Sequence, residues 1–256
     1  MYNFFVKKEN ISNKKVYISG SDYNHIRNVL RMQPGDAFLI SCDGMSHYCS
    51  VETFENEMVV ANILKEDYND TNLPIQLFLF QGLPKSDKME LIIQKTVELG
   101  VDGIIPVEMN RCVVKLDEKK KKGKQSRWQS IAESAAKQSK RNIIPEVFEV
   151  MSFKNALKKS QELDLLLVPY ESKNGMADTV DALKSIKSGM KVGVFIGPEG
   201  GFEENEIQST TEIGGKIISL GKRILRTETA AIAATAMCML YAEMNLSGEN
   251  NETTSE

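Results

Sequence analysis

Five stretches of this chain, IQLFLFQG (75–82), DGIIPV (102–107), LDLLLVP (163–169), KVGVFIG (191–197) and KIISL (216–220), are nearly unbroken in apolar residues. A strand with one wet face alternates apolar and polar side chains, whereas a strand that is apolar throughout must be covered on both faces, which is the habit of parallel sheets. Helical segments stand between or after these runs, so the region from about residue 71 to 246 reads as α/β. Two helices have legible starts. Ser86 and Asp87 are in position to cap the first, with Glu90 three residues after Asp87 and Gly100 to close it. Ser126 with Gln129 forms a capping box that predicts a second start, for SRWQSIAESAAKQSKR (126–141).

Residues 1 to about 70 follow another grammar. DAFLIS (36–41), SHYCSVETF (46–54) and EMVVANIL (57–64) are short runs separated by Pro34-Gly35, Asp43-Gly44 and Asn56, as expected for a small β barrel or sandwich. One helix, DYNHIRNVLRM (22–32), precedes them, with Ile26, Val29 and Leu30 on one side and His25, Arg27 and Arg31 free to face outward. The polar KEDYNDTNLP (65–74) reads as the linker between the two parts, and the acidic tail 247–256 as disordered.

Composition narrows the function classes. With 41% hydrophobic residues in 256, the chain can bury a sizeable core. Met1 to Lys8 is too short an apolar run for a secretory signal, and Ala230 to Ala242 spans 13 residues where a membrane helix needs about 20, so a cytoplasmic protein with no membrane association is expected. Four cysteines (42, 49, 112, 238) without CxxC spacing and two histidines indicate neither a metal site nor disulfides. The net charge is −3, but between Arg111 and Arg141 eleven Lys or Arg face three acids, a local +8 that leaves −11 on the rest. Such a block suits a polyanion, with the solvated loop KKKKGK (119–124) as the plainer reading.

FIGPEGGFEENEI (195–207) joins a strand end, a glycine loop and a helix start. Helix starts usually favour phosphate, but Glu203, Glu204 and Glu206 occupy this first turn and would repel a pyrophosphate. Neither G-x-G-x-x-G nor the P-loop pattern occurs, so NAD or ATP chemistry loses its best evidence. Glycines 197, 200 and 201 allow positive φ and close backbone approach, which a cofactor such as S-adenosylmethionine, with its positive sulfonium, would tolerate beside acids. A tight turn that merely needs glycine is the other reading. The next loop, SLGKRILRTETAAIAATA (219–236), is basic and opens a helix of small apolar residues with no obvious polar face, suited to burial inside the fold or against another copy. One acidic and one basic strand-end loop would form a crevice at the carboxyl ends of a sheet.

GPEGGF (197–202) followed by LGKRILRTETAA (220–231), with LPKSDKMELIIQKTVELGV (83–101) and RWQSIAESAAKQSKR (127–141), resembles the ribosomal RNA small subunit methyltransferase E family of the SPOUT class. The likeness covers nearly the whole chain, including an amino-terminal part similar to the family's PUA-like β barrel. It implies an S-adenosylmethionine-dependent enzyme that methylates N3 of a uridine in 16S ribosomal RNA of the small subunit, acts as a homodimer, and has a carboxyl-terminal trefoil knot whose loops hold the cofactor. Carried over by motif, Ile196, Gly197, Pro198, Glu199, Gly200 and Gly201 form one cofactor loop. Leu220, Gly221, Ile224, Leu225, Arg226 and Thr229 belong to the other, and the strand end Val168-Pro169-Tyr170 to a third crossing. Cys112, in RCVVK, stands where serine is more often expected.

Methyl transfer to nitrogen needs orientation more than a covalent nucleophile. Arg226 is the catalytic candidate, stabilising the anion left when the uridine imide loses its proton, with a salt bridge to Glu228 or a neighbouring acid as its alternative role. For RNA the candidates are Lys85, Lys88, Arg111, Arg127, Lys137 and Arg141, with His25, Arg27 and Arg31 on the small domain. Trp128 is read as core or as a base-stacking residue. The competing function is a non-enzymatic ribosome assembly factor.

Overall fold

The computed structural model describes residues 1–171 and 175–247, so the tail expected to be disordered lies, from residue 248 on, outside the described residues. Two compact units divide the chain. The first takes residues 1–72 together with 136–144, and the second the rest of the chain from residue 73.

The first unit holds β1 (Asn3–Phe5), β2 (Ile11–Ser12), β3 (Lys15–Ile18), β4 (Ala37–Cys42), β5 (Met45–Glu55) and β6 (Met58–Lys65), ordered β1-β4-β5-β6-β3-β2 in one sheet. β1 runs parallel to β4, and the remaining pairs are antiparallel. The turns fall where the breakers stood: Asp43-Gly44 and Asn56-Glu57 both have positive φ, the requirement of a two-residue hairpin turn. Inward positions bury Phe4, Val16, Phe38, Ile40, Cys49 and Val59. The helix read over 22–32 is instead α1 (Gly20–Asn24) followed by a π turn over His25–Val29. The wider turn rotates Val29 off the apolar stripe, leaving it 64% exposed while Ile26 is fully buried.

In the second unit, β7 (Gln76–Gly82), β8 (Gly103–Glu108), β9 (Glu146–Val147), β10 (Met151–Ser152), β11 (Leu165–Pro169), β12 (Lys191–Ile196) and β13 (Lys216–Ile218) form one all-parallel sheet. Its order is β10-β8-β7-β12-β11-β13, with β9 also pairing to β8. All five apolar runs are strands of this sheet. The helices are α2 (Lys88–Glu98), α3 (Glu118–Ser139), α4 (Phe153–Ser160), α5 (Ala177–Lys184), α6 (Glu204–Glu212) and α7 (Thr227–Leu246), the end of α3 belonging with the first unit. α2 buries Met89, Ile92, Ile93, Thr96 and Val97, a 3-4 spacing that covers one face. It ends at Gly100, whose φ of +99° only glycine adopts readily, with the Val101 N–H reaching back to the Thr96 carbonyl.

α3 corrects two expectations. It begins eight residues before Ser126, so the lysine run 119–124 is helical and not a loop. Asp117 supplies the cap, its Oδ1 accepting from the Lys120 N–H at 2.8 Å, while Lys121 bridges Glu108 and Glu118. Gln129 works elsewhere, donating to the Pro145 carbonyl and accepting from the Val147 N–H at the β9 edge. Trp128, 4% exposed, is core. Among the described residues no helix is long and apolar enough to cross a membrane, and no cluster of His, Cys, Asp and Glu suits a metal ion.

Candidate functional site

β12, β11 and β13 are neighbours in the sheet, and their carboxyl ends open into one crevice of about 460 Å³. Among the described residues three segments line it: 169–171 after β11, 196–202 after β12, and 219–227 after β13, joined by Lys88 and Ala230. Crevices outside the carboxyl ends of parallel strands are where open α/β sheets bind ligands, and the volume lies within the usual range for small-molecule sites, about 300–1,000 Å³.

The glycine loop is held from several sides. The Thr227 hydroxyl donates to the Gly197 carbonyl at 2.7 Å, and Arg111 Nη1 donates to the Gly200 carbonyl at 3.1 Å. A Cβ at Gly200 would lie 2.9 Å from Arg111 Cβ, so this glycine is required by close approach. Positive φ is required at Gly201 (+69°) and Gly221 (+103°), and not at Gly197 or Gly200.

Charge at the crevice is arranged around Lys88. Its Nζ lies 3.0 Å from Glu199 Oε1 and 3.4 Å from Glu228 Oε2, and Glu199 Oε1 also accepts the Lys85 N–H at 3.0 Å. Partial burial pushes the Glu199 carboxyl upward, but the Lys85 N–H and the Lys88 ammonium outweigh it and hold the group below the ordinary glutamate range. The hydrogen bond to Glu199 raises Lys88 in turn, against a smaller desolvation effect. The acids at the start of α6 are engaged locally: buried Glu206 accepts from the Glu203 N–H at 2.8 Å and from the Asn110 N–H at 3.2 Å, and Glu203 accepts from Asn110 Nδ2.

Of the residues expected to hold a cofactor, Pro169, Tyr170, Ile196, Gly197, Pro198, Glu199, Gly200, Gly201, Leu220, Gly221, Ile224 and Leu225 line this one crevice. Val168 does not, being fully buried inside β11, and Thr229 is exposed in the first turn of α7 but does not line the crevice. Arg226 lines the crevice as the N-cap of α7. Glu228 pairs with Lys88, and among the described residues no carboxylate pairs with Arg226. Glu171, Phe202, Ser219, Arg223, Thr227 and Ala230 also line the crevice, outside the expected set but each next in the chain to an expected position.

The cations expected on RNA divide. His25, Arg27, Arg31, Lys85, Arg111 and Arg127 are exposed. Arg27 also stacks 4.3 Å over the Phe54 ring. Arg127 pairs with Glu90 at 2.7 Å and Lys137 with Asp22 at 3.1 Å. Lys88 is committed to its two carboxylates. Arg141 is the clear correction: it is 3% exposed, its carbonyl accepting from Asn3 Nδ2 and Ser41 Oγ, so it has no surface to offer RNA. All four cysteines are free and buried.

Residues 71–239 match the model of an RNA methyltransferase domain, and residues 18–47 that of an RNA methyltransferase PUA domain. The ribosomal RNA small subunit methyltransferase E of Bacillus subtilis is 39% identical, covering 95% of this chain and 98% of that protein. Its namesake in Mesomycoplasma hyopneumoniae is 31% identical over 93% of this chain and 99% of its own length. The crystal structure of a ribosomal RNA small subunit methyltransferase E from Neisseria gonorrhoeae bound to S-adenosyl methionine superposes with a TM-score of 0.78 at 33% identity, covering 94% of this chain and 97% of that one. The chain belongs to the ribosomal RNA small subunit methyltransferase E family.

Proposed function

We propose that this protein is an S-adenosylmethionine-dependent methyltransferase that methylates N3 of a uridine in 16S ribosomal RNA. The observation that supports it most is the convergence of two glycine-bearing loops and the β11 end on one crevice. The residues fit the cofactor: Gly197, Gly200 and Gly201 line the crevice without side-chain bulk, Tyr170, Leu220, Ile224 and Leu225 supply apolar surface, and Glu199 supplies negative charge. S-adenosylmethionine bound there would supply a methyl group on a positively charged sulfonium. The protein's own work is orientation and electrostatics. Arg226, at the crevice and without a carboxylate partner among the described residues, is suited to stabilise negative charge on the uridine carbonyl oxygens as N3 loses its proton. No thiolate is needed for transfer to nitrogen, in keeping with four buried cysteines.

RNA phosphates fall to the exposed cations, Lys85 and Arg111 beside the crevice, Lys119, Lys120, Lys122 and Arg127 on α3, and His25, Arg27 and Arg31 on the first unit. A homodimer is part of the same reading. α7 buries Ala231, Ala234, Cys238 and Ala242 on one side, yet leaves Leu240 and Met244 50% and 79% exposed on a helix with few polar residues. A carboxyl-terminal trefoil knot and a cytoplasmic location are further parts of this proposal, and family membership supports them.

The test is transfer of label from S-adenosylmethionine to 30S subunits or 16S RNA taken from a strain that lacks the activity, with the modified base mapped by mass spectrometry. No transfer, or label on another base, would overturn the reading. A non-enzymatic assembly factor has no use for the crevice. It would show no thermal stabilisation by S-adenosylmethionine.

A further inference from the structure

Lys88 opens α2, where the free N–H groups of the first turn oppose a cation. Its ammonium is held instead by two carboxylates on different walls of the crevice: Glu199 in the glycine loop at 3.0 Å, and Glu228 in the first turn of α7 at 3.4 Å. The three side chains are 31%, 25% and 14% exposed, so the cluster is partly withdrawn from water and its charges are less screened than surface pairs. Glu199 also holds the Lys85 N–H, and Glu228 lies two residues beyond Arg226. One ammonium thus links the start of α2, the glycine loop and the start of α7.

We propose that Lys88 is a positioning residue for the methyl donor, fixing the two crevice walls against each other, and not a ligand of RNA phosphate. The inference rests on the donor site proposed above. Without the ammonium, Glu199 and Glu228 face each other across the crevice as uncompensated like charges, and repulsion separates the walls that hold the donor. Lys88 touches no reacting atom in this scheme, so its loss acts on donor affinity before turnover.

The experiment is calorimetric titration of S-adenosylmethionine into wild type, Lys88→Met, Lys88→Arg and Lys88→Met/Glu228→Gln, with binding of a 16S RNA fragment measured over a range of salt. Lys88→Met is expected to weaken donor binding about tenfold, the scale for losing one partner of a partly buried ion pair. Lys88→Arg should restore most of the loss, and the double variant part of it, because one stranded carboxylate is gone. RNA affinity and its salt dependence should match wild type. Should Lys88→Met not fold, Lys88→Gln/Glu228→Gln removes the repulsion along with the ammonium and is expected to bind donor more weakly than wild type. Unchanged donor affinity in Lys88→Met, or in Lys88→Gln/Glu228→Gln where Lys88→Met does not fold, or a shallower RNA salt slope with donor binding intact, would overturn the inference. Wild-type protein that binds no S-adenosylmethionine would remove the donor site itself, and this inference with it.

Discussion

The hydroxyl of Thr227 donates to the carbonyl of Gly197, 30 residues earlier in the chain, at 2.7 Å, and accepts from Gln81 Nε2 at 2.9 Å. Gln81 is fully buried at the end of β7, and Thr227 is 5% exposed at the start of α7. One oxygen therefore binds a central strand end, the glycine loop and the helix that follows the basic loop. The two loops lie against one crevice because this buried contact fixes their bases together.

Thr227→Val keeps the shape but strands the Gly197 carbonyl. Leaving a buried polar group unsatisfied costs about 1–3 kcal/mol. For a chain of this size each kcal/mol lowers the melting temperature by about 2–4 °C. Thermal denaturation should show that loss for Val and near wild-type behaviour for Thr227→Ser. Equal melting of Val and wild type would mean that the hydrogen bond contributes nothing.

Gly200→Ala and Gly201→Ala separate the two reasons for glycine. At Gly200 a Cβ meets Arg111 Cβ at 2.9 Å and its carbonyl at 3.1 Å, so the loop must shift. At Gly201 there is open space but φ is +69°, a strain of about 1–2 kcal/mol for alanine. The first variant should lose donor affinity out of proportion to stability, and the second the reverse. Identical profiles by calorimetry and thermal shift would return the loop to the role of a plain turn.

The parallel sheet was legible because burial on both faces forces apolar residues at every strand position, a signal carried within each run. The crevice was legible because strand-end loops of neighbouring strands share one side of a sheet. What failed were features decided by distant partners. Ser126 and Gln129 match a capping box locally, yet Gln129 spends its amide on Pro145 and Val147, and the helix start is secured by Asp117 and by Lys121 reaching Glu108. Lys88 looked free because Glu228, its second partner, lies in the last helix. Arg141 looked like one more cation of a basic block, whereas Asn3, 138 residues away, holds its backbone in the core of the first unit.

Cysteine chemistry should be silent in the native protein. Burial pushes the thiols of Cys49 and Cys238 up to about 12 and raises those of Cys42 and Cys112, so thiolate is scarce at neutral pH. Alkylation with iodoacetamide at pH 7, read by mass spectrometry, should leave all four unmodified until the chain is unfolded. Rapid native labelling with loss of turnover would point to a covalent thiol mechanism and against transfer to nitrogen.

Arg226→Ala should lower turnover by about 10²–10³, the usual effect of removing one stabiliser of developing negative charge, with donor affinity close to wild type. Turnover and donor affinity falling together would instead mark Arg226 as part of the donor's own binding surface. A single-turnover assay alongside calorimetry distinguishes the two.

Glu199 gives the pH dependence its sign. Burial pushes its carboxyl up, but the Lys85 N–H and the Lys88 ammonium together pull it below its ordinary value. A group depressed in this way adds stability that is fully present above the unfolded value, about 4.3, and drains away as pH falls through the lower folded value. Lys88, raised chiefly by its hydrogen bond to Glu199, adds stability that is present below its ordinary value, about 10.4, and is lost as pH rises through the higher folded one. Across neutral pH the cluster is intact, so donor affinity should be flat there. Melting temperatures of wild type and Glu199→Gln should differ by a constant amount from neutrality down to about pH 5 and converge below about 4.3, as the wild-type carboxylate takes up its proton. A difference that persists unchanged into acid would mean that Glu199 draws nothing from its two donors, and the wall it anchors would need another support.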